Sequence, residues 1–179
     1  MADKKVRILL PFDVLPLARD AKIVSLRWDL IPWSLVLDCD VPAKAGAETP
    51  LIRRAWIIFV GMSEISWSMK SARLPNGVIG TDALIASERV MGFCEYELPI
   101  LTPTFLAEDG ISGNPHNKIL IRATGIVGAI SVSEAVFDEF GPNRQQRESL
   151  ATEEDFLQAI SAAAATVSVT GDDNATMGM

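Results

Sequence analysis

Asp38 and Asp40 stand two residues apart in an alternating segment, and Glu95 and Glu97 repeat the arrangement. In extended backbone each pair projects to one face, with its Cα atoms about 7 Å apart. Paired carboxylates support two kinds of chemistry. Glycoside hydrolysis uses two at a defined separation, and hard cations such as calcium or magnesium collect several oxygens. Either use requires all four side chains to converge in one cleft. The simpler reading places each pair on the water-facing side of a half-buried strand, where alternate acids cost little.

Other chemistry has less to build on. His116 is the sole histidine, which gives no metal cluster and no obvious base for a nucleophile. Ser112, in Gly110-Ile111-Ser112-Gly113-Asn114, lacks the second glycine of a G-x-S-x-G elbow at the required place. No G-x-G-x-x-G or phosphate-binding loop is present, so no nucleotide cofactor is expected, and neither a catalytic set nor a metal site is assigned. Four tryptophans fall within the first 67 residues. Trp33, Trp56 and Trp67 occupy apolar strand positions, which predicts core packing, with a sugar or peptide platform as the alternative.

Charge narrows the partners. The net charge of −7 opposes phosphate neutralisation, so nucleic acid is excluded as an expected ligand. Residues 1–90 carry 12 basic and 10 acidic groups, whereas 91–179 carry 4 and 13. Glu108 and Asp109 add to the acidic second half. An acidic face of this kind either keeps the protein dispersed or meets a basic partner. No stretch approaches the roughly 20 apolar residues of a membrane span, and the apolar run after the basic start ends at Pro11, too short for a signal peptide. A cytoplasmic location is expected. Cys39 and Cys94 lie in strand-like runs without a C-x-x-C pair, so both are read as reduced.

Period-two alternation dominates the elements that would position these residues. Val24, Leu26 and Trp28 alternate with Ile23, Ser25 and Arg27. Trp33, Leu35, Leu37 and Cys39 follow. Residues 54–60 are apolar on both faces, as a central strand requires, and Gly61 is expected to turn the chain into a second strand through Ile65, Trp67 and Met69. Residues 81–89 are compatible with a short helix. Tyr96 and Leu98 oppose Glu95 and Glu97, and a long loop spans Pro99 to Asn117. Ile119, Ile121 and Ala123 form another strand, which Gly125 separates from a further one over 126–137. The sequence therefore predicts a mainly β fold, an antiparallel β-sandwich or strongly curved sheet, with one C-terminal α-helix. The domain is placed at 1–142, a linker at 143–151, the helix at 152–168 and a disordered tail at 171–179. Thr152 is the expected N-cap, and Phe156, Ile160, Ala163 and Ala164 form the stripe that docks on the sheet.

The blocks Trp33 to Pro42, Arg53 to Ile65 and Gly128 to Val136 resemble strand patterns of small β-rich bacterial immunity proteins and related bacterial families. The likeness covers about half the chain and consists of strand patterning, and the C-terminal helix departs from it. It implies a protein that blocks a toxin by binding it, without catalysis. The expected function is accordingly a non-enzymatic protein-binding module with a basic partner, contacted through Asp38, Asp40, Glu95, Glu97, Glu108 and Asp109. A structural or homo-oligomer-forming module, and a carboxylate-dependent hydrolase or metal-binding enzyme, are the alternatives.

Overall fold

The computed structural model describes residues 5–19, 21–30, 33–43, 51–68, 78–79, 84–85, 92–101, 118–136 and 144–172. One antiparallel sheet carries β1 (Val6–Leu9), β2 (Lys22–Leu30), β3 (Trp33–Pro42), β4 (Leu51–Ser68), β5 (Val78–Ile79), β6 (Leu84–Ile85), β7 (Cys94–Leu101), β8 (Lys118–Ser131) and β9 (Ala135–Val136). Among the described residues three helices accompany it: α1 (Pro11–Ala18), α2 (Arg144–Leu150) and α3 (Glu153–Asp172). The expected curved antiparallel sheet with a C-terminal helix is the architecture found.

The sheet runs β1-β8-β4-β3-β2-β5-β7-β6, and β7 also pairs with the first half of β8. It is therefore strongly curved, with an inner and an outer face. Among the described residues β2 meets β5 where Lys22 pairs with Val78. Leu35, Leu37, Cys39, Ile57, Phe59, Leu98, Ile119 and Ile121 fill the inner face. Their alternates, Val36, Trp56, Ile58 and Ala129, form a second cluster on the outer face with Ala151 and Phe156. Strands buried on both sides read as unbroken apolar runs, which is the pattern of residues 54–60.

Two glycines do not act as turns. Gly61 takes φ +60° inside a single 18-residue strand, in register across from Thr124 and just before the shift between Met62 and Glu64. A left-handed residue beside a bulge bends a strand without ending it. Gly125 likewise pairs with Val60 inside an uninterrupted β8. A bulge at Val24 shifts the alternation of β2, so that Ile23 is buried on the inner face with Leu26 rather than opposite it. Leu84 and Ile85 are paired strand residues in place of the short helix; the rest of that stretch lies outside the described residues.

Helix α1 has no counterpart in the sequence reading. Pro11 opens it at a position where its missing N–H is harmless, and Val14, Leu15 and Ala18 bury one side against the inner core. Gly128 on β8 makes room for it: a Cβ there would lie 2.8 Å from Val14 Cγ2. The segment read as a linker contains α2. Its polar sequence gives no apolar stripe, and Leu150, buried at its end, and the ion pairs of Arg147 hold it to the sheet. Helix α3 begins as expected, with Thr152 Oγ1 accepting from Asp155 N at 3.2 Å and the Asp155 carboxylate accepting from Thr152 N at 2.8 Å. The helix includes Gly171 and Asp172, which were assigned to the tail, and 173–179 lie outside the described residues.

Candidate functional site

Asp38 and Asp40 share the outer face of β3, as their spacing requires, but they do not face water. Asp38 is 9% exposed and Asp40 4%. Cross-strand register sets Asp40 opposite Arg54 of β4, and Arg54 turns its guanidinium to Asp38: Nε to Oδ1 at 3.2 Å and Nη2 to Oδ2 at 2.9 Å. Arg147 of α2 bridges both acids, Nη2 donating to Asp38 Oδ1 at 2.9 Å and Nε to Asp40 Oδ1 at 2.8 Å. Arg54 Nη1 also donates to the Ala151 carbonyl at 2.7 Å, and Arg54 N donates to Ser131 Oγ at 3.1 Å. Two acids and two arginines thus form a buried, mutually compensated cluster.

Burial pushes the Asp40 carboxyl above its usual value, and the charge and hydrogen bond of Arg147 pull against that rise. For Arg147 burial acts downward, but Asp38 and Asp40 outweigh it and hold the guanidinium above its ordinary value. Aromatic rings complete the surroundings. The Arg54 guanidinium carbon lies 5.4 Å from the Phe156 ring centroid, and that of Arg27 lies 4.7 Å from Trp56. Asp38 and Asp40 are corrected accordingly: they are internal anchors of the C-terminal helices rather than an open acidic face.

Glu95 and Glu97 project from the outer side of β7 while Tyr96 and Leu98 enter the core. Both remain partly exposed and meet cations of β8. Arg122 donates to Glu95 through Nη2 at 2.5 Å and pairs with Glu64 at 3.1 Å, and Lys118 reaches Glu97 at 3.2 Å. The hydrogen bond to Glu95, with its charge, raises the Arg122 pKa. β4 and β8 stand between β3 and β7, so the two acidic pairs occupy separate places and share no cleft. Among the described residues no three histidine, cysteine or acidic side chains gather to hold a metal ion. Glu108, Asp109, Ser112 and His116 lie outside the described residues.

The tryptophans depart from the expected core packing. Trp56 alone is buried, stacked on Phe156 with centroids 4.8 Å apart and planes 13° from parallel. Trp33 and Trp67 are each 55% exposed and Trp28 is 39% exposed. Trp28 and Trp67 meet edge to face at 6.4 Å. Trp28 pairs with Leu35 and Leu30 with Trp33, so Trp33 is the diagonal neighbour of Trp28 on the same face. The period-two pattern correctly places these rings on the inner side of their strands. It carries no information about where along a strand the covered interior ends, and they lie at its rim.

An open groove of about 530 Å³ runs along β1 and the start of α1, lined by Arg7, Leu10, Asp13 and Leu17 among others. It contains none of the carboxylates discussed above. Among the described residues no helix is long and apolar enough to cross a membrane. No protein-family model, curated protein or solved structure matches this chain.

Proposed function

We propose that this protein is a non-enzymatic binding module whose contact surface is the aromatic rim formed by Trp28, Trp33 and Trp67. The observation that carries the reading is the exposure of three tryptophans at one end of a sheet whose interior is packed with side chains. Exposed indoles lose little conformational entropy on contact and are the residues most enriched at protein-binding hot spots. Glu64, Glu95 and Glu97 lie on the opposite, outer face and are paired with Arg122 and Lys118. A basic protein fits the indoles. Apolar contact supplies affinity, and the indole faces favour cations.

Inhibition of a toxin, in the manner of immunity proteins, is the specific form of this reading. Asp38 and Asp40 are occupied internally and Glu64, Glu95 and Glu97 pair with Arg122 and Lys118, so attraction for a cationic partner rests on the indoles. The test is capture from lysate of the source cells, at low and raised salt, by the intact chain and by a Trp33→Ser, Trp67→Ser double variant. A stoichiometric basic partner held by the intact chain and lost by the variant supports the proposal. Equal capture by both, or recovery of the bait alone, contradicts it.

A further inference from the structure

We propose that residues 144–172 form a strap that opens from the sheet as one unit, uncovering the outer apolar face around Trp56 while the inner core stays folded. The first support is the division of apolar packing. Among the described residues the inner cluster draws on the strands and α1 and includes none of α2 or α3. Those of the strap enter the outer cluster, through Ala151 and Phe156 with Ala159 and Ile160 beside them. None of the strand pairings depends on the strap.

The second support is the chemistry of the attachment. Beside the apolar contacts of Leu150, Ala151, Phe156 and Ile160, charged groups hold the strap: Arg147 to Asp38 and Asp40, Glu153 to Arg27, and Asp155 to Lys5 at 3.5 Å. Arg54 adds its bond to the Ala151 carbonyl. The charged groups regain water when they part, which offsets part of the loss of these pairs. The sheet is also prepared for it. Asp38 keeps its two-bonded Arg54, which belongs to the sheet, and Asp40 keeps the nearby charge of Lys22. Trp56 Nε1 is buried without a hydrogen-bond partner and gains water on opening.

Opening would present Val6, Val36, Trp56, Ile58 and Ala129 together. The strap is thus a built-in cover over the outer apolar face.

Native-state hydrogen exchange on the full chain tests this. The amides of α2 and of residues 153–164 should exchange as a group, at least about tenfold faster than the paired amides of β3, β4 and β8. Arg147→Met should speed the strap by about a further tenfold and leave residues 118–123 unchanged. Acrylamide should reach Trp56 more readily in the same variant, read as the difference from a chain that also carries Trp56→Phe. One common exchange rate for strap and strands, or equal acceleration of both by Arg147→Met, overturns the proposal. Should that variant fail to fold, the comparison within the unaltered chain decides.

Discussion

Arg54 and Asp38 face each other fork to fork across β3 and β4, with contacts of 3.2 and 2.9 Å, in a site where each side chain is about one-tenth exposed. This pairing has a consequence for substitution. Asp38→Ala leaves Arg54 and Arg147 facing each other without their shared acid, and breaking a buried pair from one side costs about 3–5 kcal/mol. Arg54→Lys also destabilises, because an ammonium cannot reproduce both bonds and the bond to Ala151. Urea unfolding measures both, with Asp38→Ala expected to be the more damaging.

Gly61 offers a test of the bulge. Its φ of +60° is unfavourable for any residue with a side chain, and an added Cβ would lie 2.4 Å from Thr124 Oγ1. Gly61→Ala should therefore cost more than the roughly 1–2 kcal/mol of the left-handed backbone alone. Adding Thr124→Ala should recover the steric part and leave the backbone part. Denaturant midpoints of the single and double variants separate the two.

These positions show what was legible in the sequence. Alternation through Leu35, Leu37 and Cys39, and through Tyr96 and Leu98, specifies strands and their inner faces, because side-chain period is a local property. The capping of α3 was legible for the same reason. Gly61 and Gly125 misled because glycine is as suited to a bulge or a paired strand position as to a turn, and only the neighbouring strand distinguishes them. Asp38 and Asp40 were legible as a same-face pair but not as buried anchors. Their partner Arg147 is more than a hundred residues away, in a polar segment without apolar periodicity. Arg147 was missed as a site residue on that account. Arg54 was missed because the register that sets it opposite Asp40 is fixed by strand pairing, not by local pattern.

The start of α3 should govern part of the acid response. The backbone N–H of Thr152, followed by its hydroxyl and Lys5, holds the Asp155 carboxyl below its usual value. A depressed acid contributes stability that is present above its unfolded pKa of about 3.9 and is lost as pH falls through the folded value. Asp155→Asn should therefore flatten the loss of thermal stability below about pH 4. Asp40 has the opposite sign: its carboxyl is raised by burial, so its contribution favours the fold as pH falls, and Asp40→Asn should leave that acid limb in place. Melting temperature against pH for the three chains checks both statements.

The two thiols should differ in reactivity. Cys39 is fully buried between the inner-face side chains, and burial, reinforced by Asp38 and Asp40, pushes its thiol far above the ordinary range. Cys94 is half-buried at the start of β7. Thiol labelling of the native protein should modify Cys94 first, and Cys39 should react only in denaturant, since the thiolate is the reactive species. Early labelling of Cys39 would mean that the inner core opens readily.

Site-specific photocrosslinking tests the tryptophan rim as the contact surface. A photoreactive residue in place of Trp33 is compared with one in place of Val136, which is exposed and pairs with Leu51 at the end of β4 opposite Trp67. A covalent adduct with the captured basic partner is expected from position 33 and none from position 136. An adduct from position 136 alone, with capture undiminished, would contradict the rim as contact surface.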